Sequence, residues 1–99
     1  MSSKKITFQH LASLFKVLSC ENRLLILDYL IEHGTASNKQ LTLALGCSQS
    51  TISENLSKLV ANNMVEVHQR GPAKFYRINT TLLQNFNLLS DMVEEAGKM

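Results

Sequence analysis

A mainly α-helical domain carrying one small β-hairpin is the fold class this sequence predicts, and three observations carry it. Apolar residues recur at helical spacing in four segments before residue 63 and in a fifth after residue 80. A short segment closed by Gly46 is joined to another capped by Ser48 through a turn of about three residues that contains the glycine, the spacing of a helix-turn-helix. From Met64 the period changes to strict alternation, broken by Gly71-Pro72-Ala73, which predicts two strands and a turn. The expected order is α-α-α-α-β-β-α. No repeat, low-complexity tract or Pro/Gly-rich linker divides the chain, so residues 1–99 read as a single domain.

Each element has its own reason. After a flexible start at 1–6, the first helix runs from about Thr7 to Leu18, with Phe8, Leu11, Phe15 and Leu18 on one apolar stripe. Ser19 or Asn22 is placed to cap the second, Arg23 to Glu32. Its density of apolar residues, Leu24, Leu25, Ile26, Leu27, Tyr29, Leu30 and Ile31, puts it at the centre of the core, and His33-Gly34 closes it. Ser37 and Gln40 have the spacing of a capping box, Leu41 and Leu45 mark a buried side, and Gly46 ends the third helix. The helix-turn-helix spans 37–63.

Its second helix, capped by Ser48 and ending at Asn62 or Asn63, is the most informative stretch. Turning 100° per residue from Ile52, the side chains of Leu56, Leu59 and Val60 fall beside it, whereas Ser50, Glu54, Ser57 and Ala61 fall opposite. Short hydroxyl and carboxylate side chains let a helix backbone approach base edges in a major groove and exchange hydrogen bonds with them. An ordinary surface helix carries a similar pattern, so the neighbouring segments decide. Val65 to Arg70 and Lys74 to Ile78 form the hairpin, a wing over 64–78 with Arg70 and Lys74 at its tip. Alternation places Arg77 on the side of Phe75, where it is expected to pair internally. A hairpin directly after a helix-turn-helix is the layout of a winged helix. The last helix, 80–96, repeats a narrow stripe through Leu82, Phe86, Leu89 and Val93, the spacing of a helix-pairing seam. With Phe8, Leu11 and Phe15 it is expected to pair two copies of the chain into a homodimer.

Composition sets the limits. A content of 44% hydrophobic and 18% charged residues is ordinary for a globular domain, and no apolar run is long enough to cross a membrane. The start Met-Ser-Ser-Lys-Lys-Ile-Thr-Phe lacks the features of a secretory signal, so a cytoplasmic location is expected. Between Ser37 and Arg77 five basic residues, Lys39, Lys58, Arg70, Lys74 and Arg77, face only Glu54 and Glu66, whereas Asp91, Glu94 and Glu95 outweigh Lys98 after it. A basic middle suits contact with phosphates. Cys20 and Cys47 lack the spacing of a zinc or redox motif and read as small apolar fillers, with a redox role as the alternative. His10, His33 and His68 are scattered without ligand spacing. Neither a cofactor nor a metal is expected. No glycine-rich phosphate loop, metal cluster or histidine beside a nucleophile is present, so the chain is not expected to be an enzyme.

Three local matches give the chain a family resemblance. Leu14 to Ser19 leading to Asn22-Arg23-Leu24-Leu25-Ile26-Leu27, Ser48 to Ser53 followed by Leu56 and Leu59, and Phe75-Tyr76-Arg77-Ile78 together resemble the ArsR/SmtB winged-helix repressors. That resemblance implies a homodimer on double-stranded DNA, seated on a partly palindromic operator. It implies that Gln49, Ser50 and Ser53 lie at the groove and Thr51 at a phosphate; the helical wheel adds Glu54 and Ser57 as base readers but puts Gln49 near the packing side. Glu54 stands where many members have histidine. Lys39, Ser48, Lys58, Arg70 and Lys74 complete the expected phosphate contacts. The family's metal sites do not carry over, because its early Cys-x-Cys pair is replaced by Ser37 and Lys39 and the last segment has no histidine. Two other readings stay open: a winged-helix module that binds and antagonises a related regulator, and a thiol-responsive repressor using Cys20 or Cys47.

Overall fold

A computed structural model describes residues 7–80 and residue 84. The helix expected over 80–96, with Leu82, Phe86, Leu89 and Val93, and the stretch 1–6 lie outside the described residues but for residues 80 and 84. The elements are α1 (Phe8–Leu18), α2 (Glu21–His33), α3 (Asn38–Leu45), α4 (Gln49–Ala61), β1 (Val65–Arg70) and β2 (Ala73–Ile78). No helix among the described residues is long and apolar enough to cross a membrane.

Local chemistry explains most of the boundaries. Ser37 Oγ accepts from the Gln40 backbone N–H at 3.1 Å while Gln40 Oε1 accepts from the Ser37 N–H at 2.8 Å, the reciprocal capping box that the spacing predicts. Gly46 ends α3 at φ 69°, a left-handed conformation that disfavours a Cβ. Ser48 then caps α4 by accepting from the Thr51 N–H at 3.1 Å, and Asn63, at φ 58°, turns the chain out of it. One boundary differs from expectation. Helix α2 opens at Glu21 after Cys20, whose side chain makes no cap hydrogen bond, while Ser19 Oγ instead donates to Lys16 O at the end of α1.

The core gathers Ile26, Leu27 and Leu30 of α2, Leu41 of α3, Ile52, Leu56 and Leu59 of α4, and Met64 and Val65 at the entry to the hairpin. From α1 it takes Leu14 and Val17, with Leu18 packed against the cluster, while Phe8 and Phe15, expected to pair with a second copy, point outward and are 90% and 56% exposed. Leu24, Leu25 and Ile31 are likewise exposed, so only one side of α2 is central.

The strands pair antiparallel from Val65↔Ile78 to Arg70↔Ala73. Ala73 is therefore the first residue of β2, and the turn is only Gly71-Pro72. Gly71 has φ 59° and proline cannot take a positive φ, which leaves the type II′ hairpin turn. A lone two-stranded hairpin is marginal in water. Here the link between α2 and α3 supports it: Ala36 N–H donates to Tyr76 O at 3.1 Å, and Tyr76 N–H to Ala36 O at 2.8 Å.

Replacing Ser37 with Ala removes one half of the capping box. The expected loss is about 1 kcal/mol of unfolding free energy, read as a lower urea midpoint with an unchanged slope.

Candidate nucleic-acid interface

The helix α4 is oriented by its only buried polar residue among those described, Asn55, 5% exposed. Its Oδ1 accepts from Arg23 Nε at 3.0 Å, and its Nδ2 donates to Thr51 O at 2.9 Å. Arg23 also donates from Nη1 to Val17 O at 2.9 Å, so one guanidinium joins the end of α1 and the start of α2 to the middle of α4. With Ile52, Leu56 and Leu59 this fixes the rotation of α4 about its own axis. Arg23 was legible as a family match, but Asn55 was missed; on the same wheel it falls next to Leu59, which marks it as inward-facing.

That rotation turns Gln49, Ser50, Ser53, Glu54, Ser57 and Ala61 to the exterior. Gln49 is exposed, not turned to the packing side where the wheel puts it. Ser48 and Thr51 form a hydroxyl relay: Ser48 Oγ accepts from the Thr51 N–H and donates to Thr51 Oγ1 at 2.9 Å. Ser48 thus spends its proton within the cap, and the Thr51 hydroxyl keeps its own to donate. Ser53 Oγ accepts from Asn38 Nδ2 of α3 at 2.7 Å. The N–H groups of Gln49 and Ser50, in the first turn of α4, add partial positive charge at the same end.

The basic residues fall in different places. Lys39 is exposed in the first turn of α3. Lys74 lines a groove with Ser57, Ala61 and Val67, beside the exposed face of α4. Arg70 faces the opposite side of the hairpin, in a cleft with Gly34, Thr35, His68, Phe75 and Arg77. Lys58 lies on the α1 side of α4, where Lys16 and Arg23 share its cleft and, among the described residues, no acidic side chain lines it. Lys16 was not singled out from sequence, because it stands alone among apolar residues in α1. Arg77 pairs internally as alternation predicts: its Nε donates to Glu66 Oε1 at 3.1 Å, with His68 Nε2 at 3.6 Å from the same oxygen. The Arg77 guanidinium, with His68 behind it, holds the Glu66 carboxyl below its ordinary range.

Of the two thiols, Cys20 stands at the opening of α2, with Sγ at 3.9 Å from Asn55 Oδ1. The Arg23 backbone N–H at the start of the helix favours its thiolate and, despite partial burial, holds the thiol below its ordinary range. Cys47 packs against the core from the turn before α4, 3.8 Å from Asn22 Oδ1, in keeping with a filler. No group of three His, Cys, Asp or Glu among the described residues is placed to hold a metal ion.

Two helices joined by a tight glycine turn, an outward polar face on the second and a braced hairpin beside it define a winged helix-turn-helix domain. Residues 20–67 match the model of the bacterial regulatory proteins of the arsR family. The chain is 30% identical over 89 residues to an arsenical resistance operon repressor of Staphylococcus aureus, covering 86% of this chain and 85% of that one. A second such repressor, of Staphylococcus xylosus, is 31% identical over 93 residues, covering 94% and 88%. Among solved structures, a homodimeric winged helix-turn-helix DNA-binding domain from Mycobacterium bovis superposes with a TM-score of 0.72 at 29% identity, covering 89% of this chain and 82% of that one. HlyU from Vibrio cholerae gives 0.71 at 27%, covering 85% and 91%. The chain belongs to the arsR family of bacterial regulatory proteins.

Asn55→Leu strands the Arg23 guanidinium and is expected to lower stability by about 1–3 kcal/mol in urea unfolding. The Glu66–Arg77 contribution is complete above the unfolded glutamate pKa near 4.5 and is lost as pH falls through the lowered folded value. Protection factors of the hairpin amides, taken relative to intrinsic exchange at each pH, should therefore fall below that range, and Glu66→Gln should remove the fall.

Proposed function

We propose that this protein is a DNA-binding transcriptional repressor that acts as a homodimer on a partly palindromic operator. The observation that carries the reading is the single outward face made by Gln49, Ser50, Ser53, Glu54 and Ser57, with Lys74 of the wing sharing a groove with its Ser57 end. Small polar side chains on a helix held rigidly from behind are suited to base edges. Lys39, Thr51, Lys58, Arg70 and Lys74 supply the phosphate contacts that fix register, Thr51 through the hydroxyl proton that its relay leaves free; Ser48 takes part by holding that relay.

The exposed Phe8 and Phe15 and the half-buried Leu11 of α1 support the dimer, since large apolar side chains set side by side on a surface call for a partner. Two-fold symmetry then puts the half-sites about one helical turn of DNA apart, or a multiple of it. A thiol-responsive version of the same repressor is favoured by one observation, the acidified Cys20 next to Asn55, because an oxidised sulfur there would press on the pair that orients α4. Operator binding that is insensitive to peroxide in the unaltered protein would remove that version.

A salt-dependent mobility shift with a palindromic duplex tests the main reading. Lys74→Ala is expected to weaken binding to every sequence and to flatten the salt slope by about one unit. Glu54→Gln is expected to change sequence preference in a selection from random duplexes while leaving the salt slope alone; an unchanged preference excludes Glu54 as a reader.

A further inference from the structure

The exterior face of α4 is wired from α3. Asn38 Nδ2 donates to Ser53 Oγ at 2.7 Å, and Asn38 Oδ1 accepts from Thr42 Oγ1 at 3.0 Å. Asn38 opens α3 and Thr42 stands one turn further on, so the amide is turned from within its own helix and reaches across to the next. With its oxygen toward Thr42, it offers Ser53 only an N–H. A serine hydroxyl has one proton and two lone pairs, and Asn38 occupies one lone pair. The proton of a helical serine commonly goes to the carbonyl one turn earlier. Ser53 makes no such bond, and no second hydrogen bond among the described residues. Its proton is left for a group outside the protein.

We propose that Asn38 is a positioning residue that makes Ser53 a hydrogen-bond donor, and that the Asn38–Thr42 pair thereby sets which way round one base pair of each half-site stands. The proposal rests on α4 being the helix that reads DNA. In the major groove guanine O6 and N7, adenine N7 and thymine O4 accept hydrogen bonds, whereas cytosine offers only its N4 donor. A guanine opposite Ser53 receives its proton. A cytosine there meets only the hydroxyl's second lone pair and leaves that proton buried and unmatched, which is the expensive arrangement. The two orientations of a G·C pair exchange guanine for cytosine at the same place, so the hydroxyl's polarity separates them.

The test is selection from random duplexes by the unaltered protein and by Ser53→Ala, Asn38→Asp and Thr42→Val. Ser53→Ala should relax the preference at one base pair per half-site by about fivefold. Asn38→Asp offers only acceptors, so the Ser53 proton turns to the carboxylate and its lone pairs turn outward. Preference at that same base pair should invert, guanine and cytosine changing strands. A carboxylate in the first turn of α3 is favourable to the helix, and an unchanged circular dichroism spectrum checks the fold. Thr42→Val frees the amide to turn over and should broaden preference at that base pair alone. A merely structural Asn38 would weaken binding without inverting anything. The proposal is overturned if Asn38→Asp keeps the preference that Ser53→Ala relaxes, or if Ser53→Ala relaxes none. Failure of the unaltered protein to select any sequence is a different result, and it overturns the DNA-reading role of α4 together with the proposal.

Discussion

The exterior of this domain depends on one buried amide. Asn55 is buried among apolar side chains, and its stability there requires both Arg23 and the Thr51 carbonyl. Rolling α4 by one residue would carry the amide away from both and strand a guanidinium behind it. The hydrophobic contacts of Ile52, Leu56 and Leu59 tolerate some rotation; the hydrogen bonds do not. What α4 shows to the outside is thus decided on its inside, and the same arginine secures the end of α1 through Val17.

Around that fixed helix the polar contacts that start and end α3 and α4 are mostly local. The capping box at Ser37, the left-handed Gly46 and the cap at Ser48 define a tight corner, and Asn38 crosses it to reach Ser53. Polar groups in this corner serve twice, first to end or start a helix and then to orient a hydroxyl that faces outward. The wing carries its charges on both faces, with Lys74 toward α4 and the Glu66–Arg77–His68 group on the other side.

Much of this was legible in the sequence where one residue type has one dominant local role. Serine followed three residues later by glutamine, glycine after a short apolar run, and alternation after Met64 each have a single strong reading, and the helix-turn-helix and hairpin followed from them. Misreadings arose where tertiary contact overrides the local signal. Helix α2 starts at a cysteine without a side-chain cap because Arg23 and the core hold it. Asn55 was passed over because a polar side chain is assumed to face water. In α1 the stripe through Phe8 and Phe15, expected to meet a second copy, stays exposed, and the residues that meet the core, Leu14 and Val17, lie off it and were not singled out as core. A single bridging residue such as Ala36 has no periodicity to read.

That bridge has a consequence for the order in which the molecule assembles. Helix caps and the α3–α4 corner join near neighbours and form quickly, whereas Ala36 and Tyr76 are separated by most of the described chain. Closing so long a loop must be met in entropy before the contact returns anything. Placing the hairpin thus waits on the helices, and once there it is held by the two bridge hydrogen bonds together with Met64, Val65, Tyr76 and Ile78 in and against the core.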